Sequence, residues 1–250
     1  MGLRDIIKRL TGRIDAPTAP LAITTIKRGN GWLAERLSPS FRVPVYNIAT
    51  IAERARLTEE AGALPLWDGY RSVEHYPRDT HGSRSSQEVR SDDQLGAFYI
   101  WLAQNRAPDL IVEFGTAFGV SGMYWLTGLG GRGGLMTYEP NEAWSKLARA
   151  NLTAIAPNFT LTNGTFEEKA SATLQPITVD IAFIDAIHTS EFVFAQYAVL
   201  KPFLKPGALV VCDDINFSDD MRQCWLTLAN QTDVRASFEL GERAGILELK

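Results

Sequence analysis

Cysteine is nearly absent from this chain: Cys212 and Cys224 are the only two in 250 residues. Two thiols are too few for a disulfide framework or a thiolate metal site, so a reducing, cytoplasmic setting is expected. Long apolar runs are missing as well. No uncharged stretch is long enough to span a bilayer, and the N-terminal Met1-Gly2-Leu3-Arg4-Asp5-Ile6-Ile7-Lys8-Arg9-Leu10 lacks the apolar centre of a secretion signal. Its spacing predicts a short amphipathic helix over residues 3–10, packed on the protein or a partner rather than on a membrane. A strong excess of either charge is missing too. A net charge of −4 gives no reason to expect nucleic-acid binding. Histidine is limited to His75, His81 and His188, and no repeat or low-complexity tract is visible.

What is present is a core. Hydrophobic residues make up 45% of the chain, enough for one large α/β domain or a core domain with a modest appendage. The texture changes near residue 90. Residues 1–90 read as an extension of short helical stretches, near 3–10 and around Ile48–Ala61, set in irregular sequence. The extension ends in a polar loop from His75 to Ser86. Its Trp32, Trp67, Tyr70 and Tyr76 could serve an oligomer or partner interface, ordinary packing, or the walls of an acceptor pocket.

Residues 91–250 carry the regular beat of a doubly wound sheet. Asp92 or Asp93 can cap a helix to about Asn105. Strands are expected at Leu110–Phe114, Leu135–Tyr138, Phe159–Thr162, Val179–Ile184 and Ala208–Cys212, the last after a turn at Lys205-Pro206-Gly207. Helices are expected at Val120–Leu126, Asn141–Asn151, Glu191–Phe203 and Asp219–Asn230. Two closing runs, Val234–Leu240 and Gly245–Leu249, are close enough for a hairpin, which makes the last strand antiparallel.

The candidate site begins at Ile111-Val112-Glu113-Phe114-Gly115-Thr116-Ala117-Phe118-Gly119-Val120-Ser121, followed by Leu135-Met136-Thr137-Tyr138-Glu139. This reads as strand, glycine turn, helix start, then a second strand ending in an acid, the way an open α/β sheet grips a nucleoside. Glu139 at a strand end can accept hydrogen bonds from both ribose hydroxyls. The turn lacks the G-x-G-x-x-G of a dinucleotide site: only Gly115 and Gly119 are present, Phe118 fills space a diphosphate would need, and Glu113 would repel phosphate. A ligand with a ribose and a positive charge but no phosphate fits, and S-adenosylmethionine is the common one. The plain alternative is a tight turn that binds nothing.

Further along, Asp185 and His188 follow one expected strand, and Asp213, Asp214 and Asn216 follow the next. Three carboxylates at adjacent strand ends repel unless hydrogen-bonded, protonated or neutralised. A hard oxygen-liganded ion such as Mg²⁺ held by Asp185, Asp213 and Asp214 would resolve this and lower the pKa of a bound hydroxyl. Acids that cap helices or face solvent are the alternative. His188 could take a proton from that hydroxyl near neutral pH, or be a structural loop histidine.

These segments resemble a class I S-adenosylmethionine-dependent methyltransferase, and more narrowly the catechol and caffeoyl-CoA O-methyltransferases with their bacterial small-molecule relatives. Glu113 through Gly119 matches the E-x-G-x-x-x-G cofactor motif, and Tyr138-Glu139-Pro140 the acidic ribose motif. Phe183 through His188 matches the segment whose aspartate binds metal and whose residue three further on is the general base, a lysine in the best-known members. Val211 through Asp214 matches the second metal segment, where aspartate-asparagine is common. The resemblance is carried by the stretch from about Leu110 to Ile215 and covers roughly 150 residues, so residues 91–250 are expected to form the methyltransferase domain. It implies a Rossmann-like, mostly parallel seven-stranded sheet with an antiparallel last strand. It further implies a cofactor pocket formed by Ser86, Glu113, Gly115, Gly119, Ser121, Glu139, Phe166, Glu167 and Asp185, with Glu167 near the adenine. Residues 1–90 would be a lid or an oligomerisation region. The implied reaction is methyl transfer to a small-molecule hydroxyl, assisted by a divalent cation, with His188 as base. Metal-free nitrogen methylation, a NAD-dependent oxidoreductase and a non-catalytic cofactor-binding partner protein are the rivals.

Overall fold

The computed structural model describes residues 21–72 and 82–250. The expected helix at 3–10, together with His75, Tyr76, Arg78 and His81, lies outside the described residues. The described chain opens with strand β1 (Ile23–Lys27), a short helix α1 (Trp32–Arg36), helix α2 (Ala49–Glu59) and a two-residue strand β2 (Leu64–Pro65). After a 3-10 turn at Asp68–Ser72 come β3 (Ser83–Arg84) and α3 (Ser86–Val89). The end of the expected polar loop is therefore ordered: Ser83 and Arg84 pair with Pro65 and Leu64. The Ser85 amide donates to the Glu88 carboxylate at 2.6 Å, which starts α3.

The regular half then follows as α4 (Asp93–Arg106), β4 (Leu110–Phe114), α5 (Val120–Leu129), β5 (Gly134–Glu139), α6 (Glu142–Thr153) and β6 (Phe159–Asn163). It continues through α7 (Phe166–Thr173), β7 (Val179–Ile184), α8 (Ser190–Leu200), β8 (Leu204–Cys212), α9 (Asp219–Ala229), β9 (Val234–Leu240) and β10 (Ala244–Leu249). Local chemistry sets several boundaries. The Asp92 carboxylate accepts from the amides of Gln94 and Leu95 at 2.9 and 2.8 Å and caps α4. Asn141 caps α6 in the same way through Ala143 and Trp144.

Eight strands, not seven, make the main sheet, in the order β1-β9-β10-β8-β7-β4-β5-β6. The added strand is β1, which runs antiparallel along β9 with Ile23 opposite Leu240 and Thr25 opposite Phe238. It covers β9, whose residues are almost all buried, and ends in Lys27, a residue suited to a sheet edge. Glu248 of β10 explains how α1 is held: its carboxylate accepts from the amides of Trp32 and Leu33 at 2.9 and 2.8 Å. A negative group at a helix start satisfies donors that have no partner within the helix.

Two further expectations are corrected. Helix α7 was not foreseen, because its apolar signal is confined to two buried residues, Phe166 and Ala170. Lys205-Pro206-Gly207 lies inside β8 rather than forming a turn before it. The pairing of β7 with β8 shifts register between Val179 and Ile181, which lets the proline pass without a ladder donor.

Helices α4 and α5 pack so closely that Gly96 faces the Tyr124 ring and Gly128 faces the backbone of Ile100. The Tyr99 ring stacks on Trp125 at 4.6 Å and meets Phe183 of the sheet at 5.1 Å. From β4 the chain builds outward to β5 and β6 on one side, and returns through β7 and β8 on the other. In an open α/β sheet, that reversal opens a crevice beyond the carboxyl ends of β4 and β7.

Candidate functional site

Gly115 stands at the mouth of this crevice with φ +96°, and a Cβ there would lie 1.7 Å from the Asp185 carbonyl oxygen. Only glycine permits that approach, which follows from pairing: Phe114 is opposite Ile184, so the next residues of β4 and β7 meet. Gly119, at φ +79°, begins α5 against Ala148. Phe118 is buried, with its ring 4.8 Å from that of Trp144.

Glu139 ends β5. One of its oxygens accepts from the Ala117 amide and the other from the Asn141 amide, both at 2.8 Å. A carboxylate has about four lone-pair positions, so two remain for a ligand. Burial pushes its carboxyl up to about 7, although both amides favour the charged form.

Glu113 stands apart from the crevice. Its two oxygens accept from Ser121 Oγ at 2.6 Å and Thr137 Oγ1 at 2.7 Å, and burial raises its carboxyl to about 7. It ties β4, β5 and α5 together instead of facing a cationic ligand, and Ser121 spends its hydroxyl on that tie. Ser86 is buried in α3, and its Oγ has no hydrogen-bond partner among the described residues. A narrow space there is shared with Gly115, Ala117 and Asp185.

The second group forms at β7, β8 and β10. Ile184 is opposite Cys212, and Cys212 is opposite Gly245, so Asp185, Asp213 and the β9–β10 turn arrive side by side. His188 Nε2 lies 3.4 Å from Asp214 Oδ2 and 3.8 Å from Asp185 Oδ1. Asp214 adopts φ +48°, a costly conformation for a residue other than glycine. Burial lowers the His188 pKa from its ordinary value, against the pull of Asp214 and Asp213. Burial, then Asp213 and Asp214, hold the Asp185 carboxyl well above the usual range.

Arg243, in the turn before β10, was not foreseen as a site residue, because the turn read only as a hairpin connection. Its Nε lies 3.1 and 3.2 Å from the two Asp213 oxygens and its Nη2 2.7 Å from Oδ2. Nε also stands 3.1 Å from Asp214 Oδ1, and Nη1 donates to the Arg90 carbonyl at 3.2 Å. A divalent cation on Asp185, Asp213 and Asp214 does not fit this arrangement. The guanidinium already neutralises two of the three, and among the described residues no group of three His, Cys, Asp or Glu side chains is placed to hold a metal ion.

Two cavities meet over these groups. One, of about 510 Å³, is lined by Gly115, Glu139, Asp185, His188, Asp214 and Arg243, with Leu66, Tyr70, Arg84 and Glu88 from the N-terminal part. The other, of about 270 Å³, is walled by Trp67, Phe114, Tyr138, Phe166, Glu167 and Phe192, and shares Tyr70, Gly115, Glu139 and Ala186 with the first. The Phe114 and Phe166 rings stack at 4.2 Å. The Tyr70 hydroxyl reaches the Ala186 carbonyl at 3.3 Å, which brings the N-terminal part over the strand ends. Leu66, Trp67, Tyr70 and Trp144 had no local motif to mark them as site residues; the aromatic character of Trp67 and Tyr70 was the one signal.

Residues 112–215 match the protein family described as "Methyltransferase domain". No curated protein matches the sequence. Among solved structures, cofactor-bound Rv0187 from MTB superposes with a TM-score of 0.62 at 19% identity, over 80% of this chain and 89% of that one. The O-methyltransferase TomG from Streptomyces achromogenes, involved in tomaymycin synthesis and solved with S-adenosylmethionine, gives 0.58 at 20% identity, over 83% and 91%. The O-methyltransferase from Bacillus cereus in complex with S-adenosylhomocysteine gives 0.57 at 17% identity, over 88% and 96%. At these identities the likeness establishes a shared fold. No helix among the described residues is long and apolar enough to cross a membrane.

Proposed function

We propose that this chain, whose residues 112–215 match a methyltransferase domain, is an S-adenosylmethionine-dependent enzyme that transfers the methyl group to a hydroxyl of a small molecule. The observation that carries this reading is the wall shared by His188, Gly115 and Glu139 around one cavity of about 510 Å³, a volume within the range of small-molecule sites. A base candidate beside the proposed cofactor grip supports the reading.

The residues present fit the cofactor. Ser86 Oγ is a buried polar atom without a described partner, a group that costs stability unless a ligand or water engages it. Gly115 leaves open a cradle that a Cβ would fill. Glu139, with two lone-pair positions left, would accept from the ribose hydroxyls, and the aromatic cavity with Phe166 and Glu167 would receive the base. Asp185 and Ser86, which line a narrow space with Gly115 and Ala117, would hold the amino-acid end. When bound, S-adenosylmethionine supplies a methyl group on a positively charged sulfur, which an acceptor oxygen takes as a neutral thioether leaves.

The chain's part is positioning and proton transfer. His188, neutral at pH 7 because burial lowers its pKa, accepts the hydroxyl proton. The Asp214 carboxylate, 3.4 Å from its Nε2, stabilises the resulting imidazolium. An oxygen acceptor is favoured because a hydroxyl must lose its proton to such a base as it is methylated. Leu66, Tyr70 and Arg84 cover the acceptor side as a lid, and the segment before residue 91 contributes this cover.

Calorimetry against S-adenosylhomocysteine and NAD, followed by a screen with labelled methyl donor over phenols, sugars, carboxylates and small peptides, tests the reading. Binding of S-adenosylhomocysteine and a labelled ether product are expected. Binding of NAD alone would return the protein to the oxidoreductases, and label found only on nitrogen would overturn the hydroxyl assignment.

A further inference from the structure

We infer that Arg243 takes the place of a divalent cation in this site: its guanidinium is the built-in positive charge of the Asp213–Asp214 cluster, so the proton chemistry at His188 proceeds without a metal ion. The inference rests on the methyl-transfer reading for what the cluster is for, but not for what neutralises it.

Topology brings the arginine there. Ligand-facing groups of an open α/β sheet sit at the carboxyl ends of its parallel strands. Strand β10 runs antiparallel to β8, with Gly245 opposite Cys212, so β10 begins where β8 ends. The residue before β10 is thereby delivered to the same edge as Asp213. The Ile215 amide donates to the Arg243 carbonyl at 2.9 Å, which fixes the turn against the loop that carries the aspartates.

The side chain is held at all three of its nitrogens. Nε and Nη2 form a fork on Asp213, whose side chain has no exposed surface, Nε also meets Asp214, and Nη1 is held by the Arg90 carbonyl. Such a planar fork matches carboxylate geometry and keeps its charge at any pH the protein tolerates. A hard cation such as Mg²⁺ needs near-octahedral oxygen donors at about 2.1 Å. Both Asp213 oxygens are instead occupied by N–H donors, so a cation would have to expel the arginine and move the turn. Arg243 is thus a positioning residue: by holding Asp214 in its left-handed conformation, it sets the carboxylate 3.4 Å from His188.

The test measures Mn²⁺ binding by electron paramagnetic resonance on the full chain with S-adenosylhomocysteine present, alongside Arg243→Ala, Arg243→Lys and Asp213→Asn. The wild-type protein is expected to leave the free-ion signal unchanged. Arg243→Ala, with its carboxylates uncovered, is expected to bind one Mn²⁺ per chain and to lose it again when Asp213→Asn is added. Turnover in Arg243→Ala should fall about 10²-fold through kcat, since displacement of reacting groups by about 1 Å costs that much. Arg243→Lys should recover part of it. One tightly bound Mn²⁺ per wild-type chain, lost in Asp213→Asn, would overturn the inference. Should Arg243→Ala fail to fold, the wild-type titration with its Asp213→Asn control still decides. Absence of S-adenosylhomocysteine binding would sink the methyl-transfer reading alone, because the Mn²⁺ titration can be run without that ligand.

Discussion

Two sides of the sheet's carboxyl edge hold buried carboxylates by different means. At the ends of β4 and β5, Glu113 and Glu139 are held by neutral donors: two hydroxyls for the first, two backbone amides for the second. At the ends of β7 and β8, Asp213 and Asp214 are held by a guanidinium. Neutral donors compensate burial only in part, so both glutamates are pushed up to about 7. The second side instead sets a full positive charge against the aspartate pair, beside His188, the proposed proton acceptor. Under the proposed function, the first side recognises ribose hydroxyls through Glu139 and the second manages charge.

The comparison breaks most sharply at His188. His188→Ala should reduce turnover about 10²–10⁴-fold, the scale of general base catalysis, with S-adenosylhomocysteine affinity nearly unchanged. In the wild type the rate should fall at acid pH, along a limb below the ordinary imidazole range, because burial lowers the pKa and the protonated ring cannot accept. Wild-type turnover in the alanine variant, under conditions where methyl transfer limits the rate, would move the proton to another acceptor.

The recognition side should show a smaller effect, on affinity. Glu139→Ala removes the acceptor for the ribose hydroxyls and should weaken S-adenosylhomocysteine binding about 10–100-fold, from roughly 1–3 kcal/mol for an unpaired buried group. Because its carboxyl titrates near 7, affinity should rise as pH increases from about 6 to 8 and more charged acceptor is present. Isothermal titration at several pH values checks both; equal affinity for wild type and variant would remove Glu139 from the site.

The smallest effect belongs to Glu113, which reports on stability. Its folded carboxyl, at about 7, lies above the ordinary 4.5. Its contribution to stability is therefore full below about 4.5 and lost as pH rises through about 7. Thermal unfolding should show Tm falling over this window, with a shallower fall in Glu113→Gln. Glu139 shifts the same way, so some slope will remain. An identical slope in the variant would show that Glu113 is ionised in the folded protein.

Much of the fold was legible because its signals are local. The caps Asp92 and Asn141, the apolar runs of β4 and β7 and the two-glycine turn each lie within a few neighbouring residues. Helix α7 escaped because two buried residues make no periodic pattern, and the start of β8 because a proline-glycine pair reads as a turn unless a register shift absorbs it. Strand β1 escaped because its five residues have meaning only beside β9, more than two hundred positions away.

The same division runs through the site. Gly115, Glu139, Asp185, His188, Asp213 and Asp214 could be named from the chain alone, since each ends a strand or begins the turn after one, and strand ends are where an α/β sheet presents its chemistry. What those groups do together was decided in three dimensions. Tertiary structure turned Glu113 inward to Ser121 and Thr137, and set Trp67 and Tyr70 along the cavities. It also brought Arg243 to carboxylates thirty residues earlier in the sequence. Local sequence determines which backbone a segment adopts. Which charge neutralises which depends on strand order and register, and these exist only once the sheet has formed.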